Sequence, residues 1–123
     1  MPAAGASDLP EFDDATLADV AASLPAPQLA AFLEDYLASG AKHVERVATL
    51  HAADDLAGLA HEAHTLISVA GSYGLKRASA IARQLEAACK AKETEIVPVL
   101  VGELTTACRD GWEMLRRRFL PKA

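Results

Sequence analysis

Two histidines on one helical segment are the residues whose type and spacing could do chemistry. His61 and His64 lie three residues apart in the stretch HEAHTLISVAGSYGL, which spans residues 61–75. At about 100° per residue, His64 falls at the edge of an apolar stripe, so we expect its imidazole to reach water. The stripe has the spacing of a helix face turned toward a core and consists of Leu56, Leu59, Ala60, Ala63, Leu66, Ile67 and Ala70.

An exposed imidazole on a rigid helix can act as a nucleophile near neutral pH, and one of its ring nitrogens can carry a phosphoryl group. Two other interpretations of His64 remain open. It could be an ordinary surface residue, or it could hold a metal ion together with His61, since the two are spaced i and i+3. No cysteine or further histidine stands nearby at ligand spacing, so we expect no metal site.

The segment around His64 is more basic than the rest of the chain, whose net charge is −5. A local excess of positive charge would suit a phosphoryl group or an acidic partner. In this interpretation Glu62 belongs to the exposed surface, and His43 and His51 are solvated. Between positions 62 and 90 the charged residues are Lys76, Arg77, Arg83 and Lys90 against Glu62 and Glu86.

Composition favours an all-α fold and excludes several classes of function. The chain of 123 residues fits one domain, and 51% hydrophobic residues with only 5% aromatic ones suit helices packed on helices. The negative charge argues against general nucleic-acid binding. We find no nucleotide-binding glycine motif, no targeting signal and no apolar run approaching the roughly 20 residues of a membrane span. We therefore expect a cytoplasmic protein, with Cys89 and Cys108 reduced in its core.

The apolar pattern predicts the helices that must position His64. Residues 1–12 have no period and are expected to form a flexible arm, and a short helix then ends at Leu24, before Pro25. Four longer helices are predicted over 26–52, from a cap at Asp54 or Asp55 to about Gly71, over 75–92, and from a cap at Thr94 to Phe119 with Ile96 facing inward.

Short connections between these helices predict an antiparallel up-and-down four-helix bundle. The bundle would form a single domain over residues 13–120, with the short N-terminal helix across one end. The sequence leaves open whether Phe32, Leu33 and Tyr36 belong to the core or to a docking surface.

The segment AHTLISVAGSYGL, with FLEDYL upstream and an antiparallel helix downstream, resembles the histidine phosphotransfer (HPt) domain of bacterial multistep phosphorelays. The resemblance covers about residues 15–120 and implies a four-helix bundle. Its histidine would accept a phosphoryl group on the outer ring nitrogen from a receiver-domain aspartate and pass it to another receiver. The positions that match the family pattern are His64, Leu66, Ala70, Gly71, Ser72, Gly74 and Leu75.

The resemblance also implies what the protein needs from its partners. HPt domains are carriers rather than enzymes and have neither an ATP site nor a cofactor, because the receiver supplies magnesium and an acidic pocket. The partners would be receiver domains of response regulators or hybrid histidine kinases. We expect the carrier to be a monomer.

Two positions depart from the family pattern. The usual lysine three residues after the histidine is Ile67 here, and the usual glycine at the next position is Ser68. A lysine would help to balance the phosphoryl charge, and a glycine would keep the approach open. The alternative function is therefore a docking or inhibitory module of the same fold, with its acceptor chemistry blunted by Ile67 and Ser68.

Other residues could compensate for these departures. Glu86 stands on the facing helix where the family often has glutamine, and Arg83 and Lys90 share its face at i−3 and i+4. The hydroxyl of Ser68 could donate to a phosphoryl oxygen. We predict that these four residues support His64, and the open alternative is that Glu86, Arg83 and Lys90 are solvated surface charges.

Overall fold

The computed structural model describes residues 25–72 and 74–120, together with Ala18, Asp19 and Ala22. The predicted arm over residues 1–12 lies outside the described residues, as does nearly all of the predicted helix that ends at Leu24. Most of the described chain is helical: α1 is Ala26–Ala52, α2 is Leu56–Gly71, α3 is Lys76–Lys90 and α4 is Val97–Phe119.

The four helices form an antiparallel up-and-down bundle. Each helix packs against the next one in the chain, and α1 also packs against α4, so the arrangement closes on itself. The connections are too short to let consecutive helices run in the same direction. The predicted all-α bundle is therefore confirmed for the described residues. None of the helices in this part of the chain is both long and apolar enough to cross a membrane.

The ends of α2 are set by the residues that the sequence singled out. Its N-terminus is capped by Asp55, whose Oδ1 accepts a hydrogen bond from the Gly58 amide at 2.9 Å. At the other end Gly74 has a φ of 74°, which glycine adopts without a steric penalty. The amide of Leu75 then bonds to the carbonyl of Ala70, and the chain turns back into α3.

The start of α4 differs from the prediction. The helix begins at Val97 after Ile96, and no side chain caps it, so Thr94 is not the cap. Pro98 lies in the first turn, where it removes one of the amides that a cap would otherwise have to satisfy. Ile96 is 42% exposed rather than buried. The preceding helix also ends two residues early, because Lys92 takes a left-handed φ of 57°.

The core fixes how α2 is rotated in the bundle. Its predicted stripe is buried at Leu59, Ala60, Ala63, Leu66 and Ala70. This burial turns the opposite side of α2 toward water.

The cysteines belong to the same core. Both are free and buried, as predicted, and burial raises the pKa of Cys89 and raises that of Cys108 to about 12. Such thiols are poor nucleophiles near neutral pH.

Candidate functional site

His64 lies on the solvent side of α2, and its side chain is 69% exposed. The neighbouring positions Ala63 and Leu66 are fully buried, so their packing holds the histidine in an outward position. Its Nδ1 lies 2.9 Å from Oε2 of Glu86 on the facing helix α3. The predicted partner is therefore in hydrogen-bonding contact with the histidine.

The electrostatics of Glu86 determine which nitrogen of His64 carries the proton. Oε2 of Glu86 also contacts Nζ of Lys90 at 3.0 Å. The hydrogen bond from Lys90 lowers the pKa of Glu86, and the charges of His64 and Lys90 also lower it against the opposing effect of partial burial. The carboxylate is thus ionised near neutral pH and can only accept a hydrogen bond. In a neutral imidazole, Nδ1 therefore carries the hydrogen and Nε2 keeps a free lone pair.

A shallow groove runs between α1 and the C-terminal part of α2. Phe32 is 57% exposed there, whereas Leu33 beside it is buried. Of the residues that the sequence left open between core and docking surface, Leu33 therefore belongs to the core and Phe32 to the surface. Tyr36 is half-buried and donates a hydrogen bond to the carbonyl of Val69 at 2.8 Å. The residues that line the groove are Phe32, Asp35, Tyr36, Ser39, Val69 and Ser72.

The family model of the Hpt domain matches residues 31–116. The chain belongs to the Hpt domain family. Hpt domains are histidine phosphotransfer modules that work with receiver domains in phosphorelays, and they are phosphocarriers rather than enzymes with a catalytic site of their own. No curated protein matches this chain in sequence.

A solved structure shows the same fold. The chain is similar to the crystal structure of histidine-containing phosphotransfer protein B (HptB) from Pseudomonas aeruginosa PAO1, with a TM-score of 0.80 and 17% sequence identity. The similarity covers 91% of this chain and 99% of that one. At this identity the comparison supports the fold and not individual site residues.

The other predicted site residues of this Hpt domain lie near His64 without contacting it through hydrogen bonds. Ser68 is exposed one turn further along α2, and Arg83 is exposed one turn before Glu86 on α3. Within the described part of the chain, neither side chain forms a hydrogen bond or ion pair with His64. Ile67 is half-buried and packs against the core.

Sequence reasoning missed a second pair of a histidine and a carboxylate in the Hpt domain. Glu62 on α2 is buried, and its Oε1 lies 2.5 Å from Nδ1 of His43 and 3.5 Å from a terminal guanidinium nitrogen of Arg46, both on α1. The predictions that His43 is solvated and that Glu62 belongs to the exposed surface were wrong. One signal was available, because Glu62 lies three residues after Leu59 and four before Leu66 and so falls within the buried stripe.

The predicted basic surface is also divided by the fold. Arg77 lies on the side of α3 that faces α4, where it lines a groove with Val99 and Asp110. The exposed cations Arg83 and Lys90 remain on the same helix as Glu86. No group of three or more histidine, cysteine, aspartate or glutamate side chains suited to a metal ion occurs among the described residues.

Proposed function

We propose that Nε2 of His64 accepts a phosphoryl group from the aspartate of one receiver domain and passes it to another. The observation that supports this proposal is the contact between His64 Nδ1 and Glu86. It orients an imidazole that is 69% exposed and leaves the lone pair of Nε2 available for attack.

The bonds formed and broken in the transfer balance without any further reacting group from this chain. Nε2 of His64 forms a bond to phosphorus, the bond between phosphorus and the receiver's aspartyl oxygen breaks, and the aspartate leaves as a carboxylate. The proton on Nδ1 stays in the hydrogen bond to Glu86, whose negative charge stabilises the positive charge on the ring. The receiver would contribute magnesium and its acidic pocket. Transfer to the second receiver reverses these bond changes.

The groove between α1 and α2 is the surface on which we expect the receiver to dock. It reaches Ser72, which is eight residues after His64 and therefore about 12 Å along the helix. A receiver that covered His64 could also cover Phe32, whose exposed ring offers a large apolar contact. Ser68 lies between His64 and Ser72 on α2, and its small side chain leaves room for a partner.

The proposed acceptor is tested by His64→Gln in a labelling experiment. The variant and the wild-type protein are incubated with a panel of phosphorylated receiver domains, and labelled protein is quantified. We expect wild-type protein to be labelled and His64→Gln to lose all label with unchanged helical content, because glutamine cannot form the phosphoramidate. The matched control is His61→Gln, which removes an exposed histidine from the same helix and should be labelled normally.

Two results would contradict the assignment in different ways. Label that persists in His64→Gln would show that another side chain is the acceptor. Receivers that bind the wild-type protein tightly and never label it would favour the alternative, a docking or inhibitory module. Ile67 and Ser68 at the two departing positions are the residues on which that alternative rests.

A further inference from the structure

Lys90 shares one oxygen atom with the proposed phosphoryl acceptor. Oε2 of Glu86 lies 2.9 Å from Nδ1 of His64 and 3.0 Å from Nζ of Lys90. Both groups contact one atom, so the ammonium lies within roughly 6 Å of the imidazole, which is inside the screening length at physiological ionic strength. The three residues therefore form one electrostatic unit that spans α2 and α3.

A carboxylate beside His64 has two opposite effects on transfer. It orients the ring and stabilises the imidazolium, but it also places a negative charge next to a phosphoryl group that carries about two more near neutral pH. An unbalanced Glu86 would therefore help the attack and stabilise the positive ring of the product, while it repels the phosphoryl group on that ring. A cation on the same oxygen would offset this repulsion and keep the hydrogen bond that orients the ring.

We propose that Lys90 is a positioning residue for phosphotransfer, which acts through Glu86 by cancelling the charge of the carboxylate that orients His64. This inference rests on the proposed function of His64. Lys90 is suited to the role because it follows Glu86 by one helical turn, the spacing at which a glutamate and a lysine attract each other most effectively. The Lys90 side chain is 67% exposed, so the expected effect is modest and depends on salt.

The test compares Lys90→Gln in two backgrounds. Each protein is brought to equilibrium with one phosphorylated receiver, and the ratio of phosphorylated to unphosphorylated His64 is measured at low and high salt. In the Glu86 background, Lys90→Gln should lower this ratio by about two- to fivefold at low salt. With Glu86→Gln the neutral amide still accepts the hydrogen bond from Nδ1 and needs no cation, so adding Lys90→Gln should change the ratio little.

Two further variants separate charge from structure. Lys90→Arg keeps the charge and should retain most of the wild-type ratio. Lys76→Gln removes the same charge from α3 about 15 Å from Glu86 along the helix, beyond the screening length at physiological salt, and should change the ratio much less than Lys90→Gln does. Helical content and thermal unfolding are compared for every variant, to show that each one is folded.

The outcomes distinguish the role of Lys90 from the proposed function of His64. A wild-type protein that is never labelled would overturn the proposed function itself. A labelled wild-type protein with an unchanged ratio in Lys90→Gln would overturn only the role of Lys90. An equal or larger loss in the Glu86→Gln background would show that Lys90 acts directly on the phosphoryl group, which also contradicts the proposal.

Discussion

α2 contributes to two histidine–carboxylate pairs that use the same atoms in different surroundings. In one pair, His64 on α2 contacts Glu86 on α3 through Nδ1 at 2.9 Å, and in the other, His43 on α1 contacts Glu62 on α2 through Nδ1 at 2.5 Å. Each carboxylate also has a basic side chain nearby, Lys90 in the first pair and Arg46 in the second. The two pairs therefore differ little in the groups they contain.

The difference lies in the access of water to the imidazole. The side chain of His64 is 69% exposed, whereas that of His43 is 14% exposed. The imidazole of the first pair is open to a partner protein, whereas that of the second pair is largely covered. In the second pair, the histidine satisfies a buried carboxylate and joins α1 to α2. The same contact thus supports chemistry at the surface and packing in the interior.

The largest expected effect comes from removing each histidine in turn and measuring stability. His43→Ala should lower the free energy of unfolding by about 1 to 3 kcal/mol, because it leaves the buried charge of Glu62 with only the longer contact to Arg46. His64→Ala should change it by no more than about 0.5 kcal/mol, as is usual for an exposed position. Urea unfolding followed by circular dichroism measures both values.

Labelling by a phosphorylated receiver should show the opposite order. Folded His43→Ala should accept the phosphoryl group and His64→Ala should not. Equal stability losses in the two variants, or label lost from folded His43→Ala, would show that the two pairs do not have separate roles.

A smaller effect is expected when the carboxylate of the exposed pair is removed. Glu86→Ala should slow phosphorylation by roughly three- to tenfold, because the ring loses the hydrogen bond that selects its tautomer and holds its orientation. Receiver binding should change less, since the side chain of Glu86 is only 15% exposed. Single-turnover transfer rates and binding isotherms measure the two quantities separately.

Phe32→Ala is the matched control for separating the transfer rate from receiver binding. Its exposed ring lines the groove together with Val69 and Ser72, which follow the histidine by five and eight residues, so its loss should weaken receiver binding and leave the rate within the bound complex unchanged. Equal transfer rates for Glu86→Ala and the wild-type protein would make Glu86 an ordinary surface charge.

The sequence predicted the exposed pair better than the buried one for a physical reason. The position of His64 at the edge of a long apolar stripe follows from helical periodicity alone, and the bundle keeps that periodicity. The contact with Glu86 depends on how α2 and α3 are packed, and it was anticipated only from a resemblance to a family. The pair of His43 and Glu62 depends on packing between α1 and α2, and a general expectation that charged residues are exposed hid it.

The helix boundaries show the same limit. α1 and the cap of α2 at Asp55 agree with the prediction because proline and aspartate act locally on the backbone. Thr94 has the right chemistry for a cap, yet the chain forms turns there and enters α4 three residues later, at Val97. The reason for a glycine at position 40 could not be predicted from the sequence either. A Cβ atom there would lie 2.6 Å from Cζ2 of Trp112. Contacts between distant residues decide such positions.

The smallest expected effect concerns Ile67, which follows His64 by one turn. A substitution here tests whether the exposed pair of His64 and Glu86 responds to charge and salt, as a solvent-exposed site should. A phosphorylated His64 adds about two negative charges, and Ile67→Lys would place a cation one turn away. An exposed charge pair contributes only about 0.2 to 1 kcal/mol, so the phosphorylated fraction should rise by a few-fold at most. Ile67 packs partly against the core, but a lysine stem can cover the same apolar surface while its ammonium reaches water.

The charge effect of Ile67→Lys is separated from its packing effect by Ile67→Met, which supplies a similar unbranched chain without a charge. At equilibrium with one phosphorylated receiver, the lysine variant should exceed both the methionine variant and the wild-type protein at low salt. The advantage should shrink as salt is added, because His64 and its neighbours are exposed to the screening solvent. An advantage that is the same at every ionic strength, or is shared by Ile67→Met, would mean that Ile67 affects transfer through packing alone. The behaviour of His64 and Glu86 would then be set by packing, as it is for His43 and Glu62. Solvent access would not explain the difference between the two pairs.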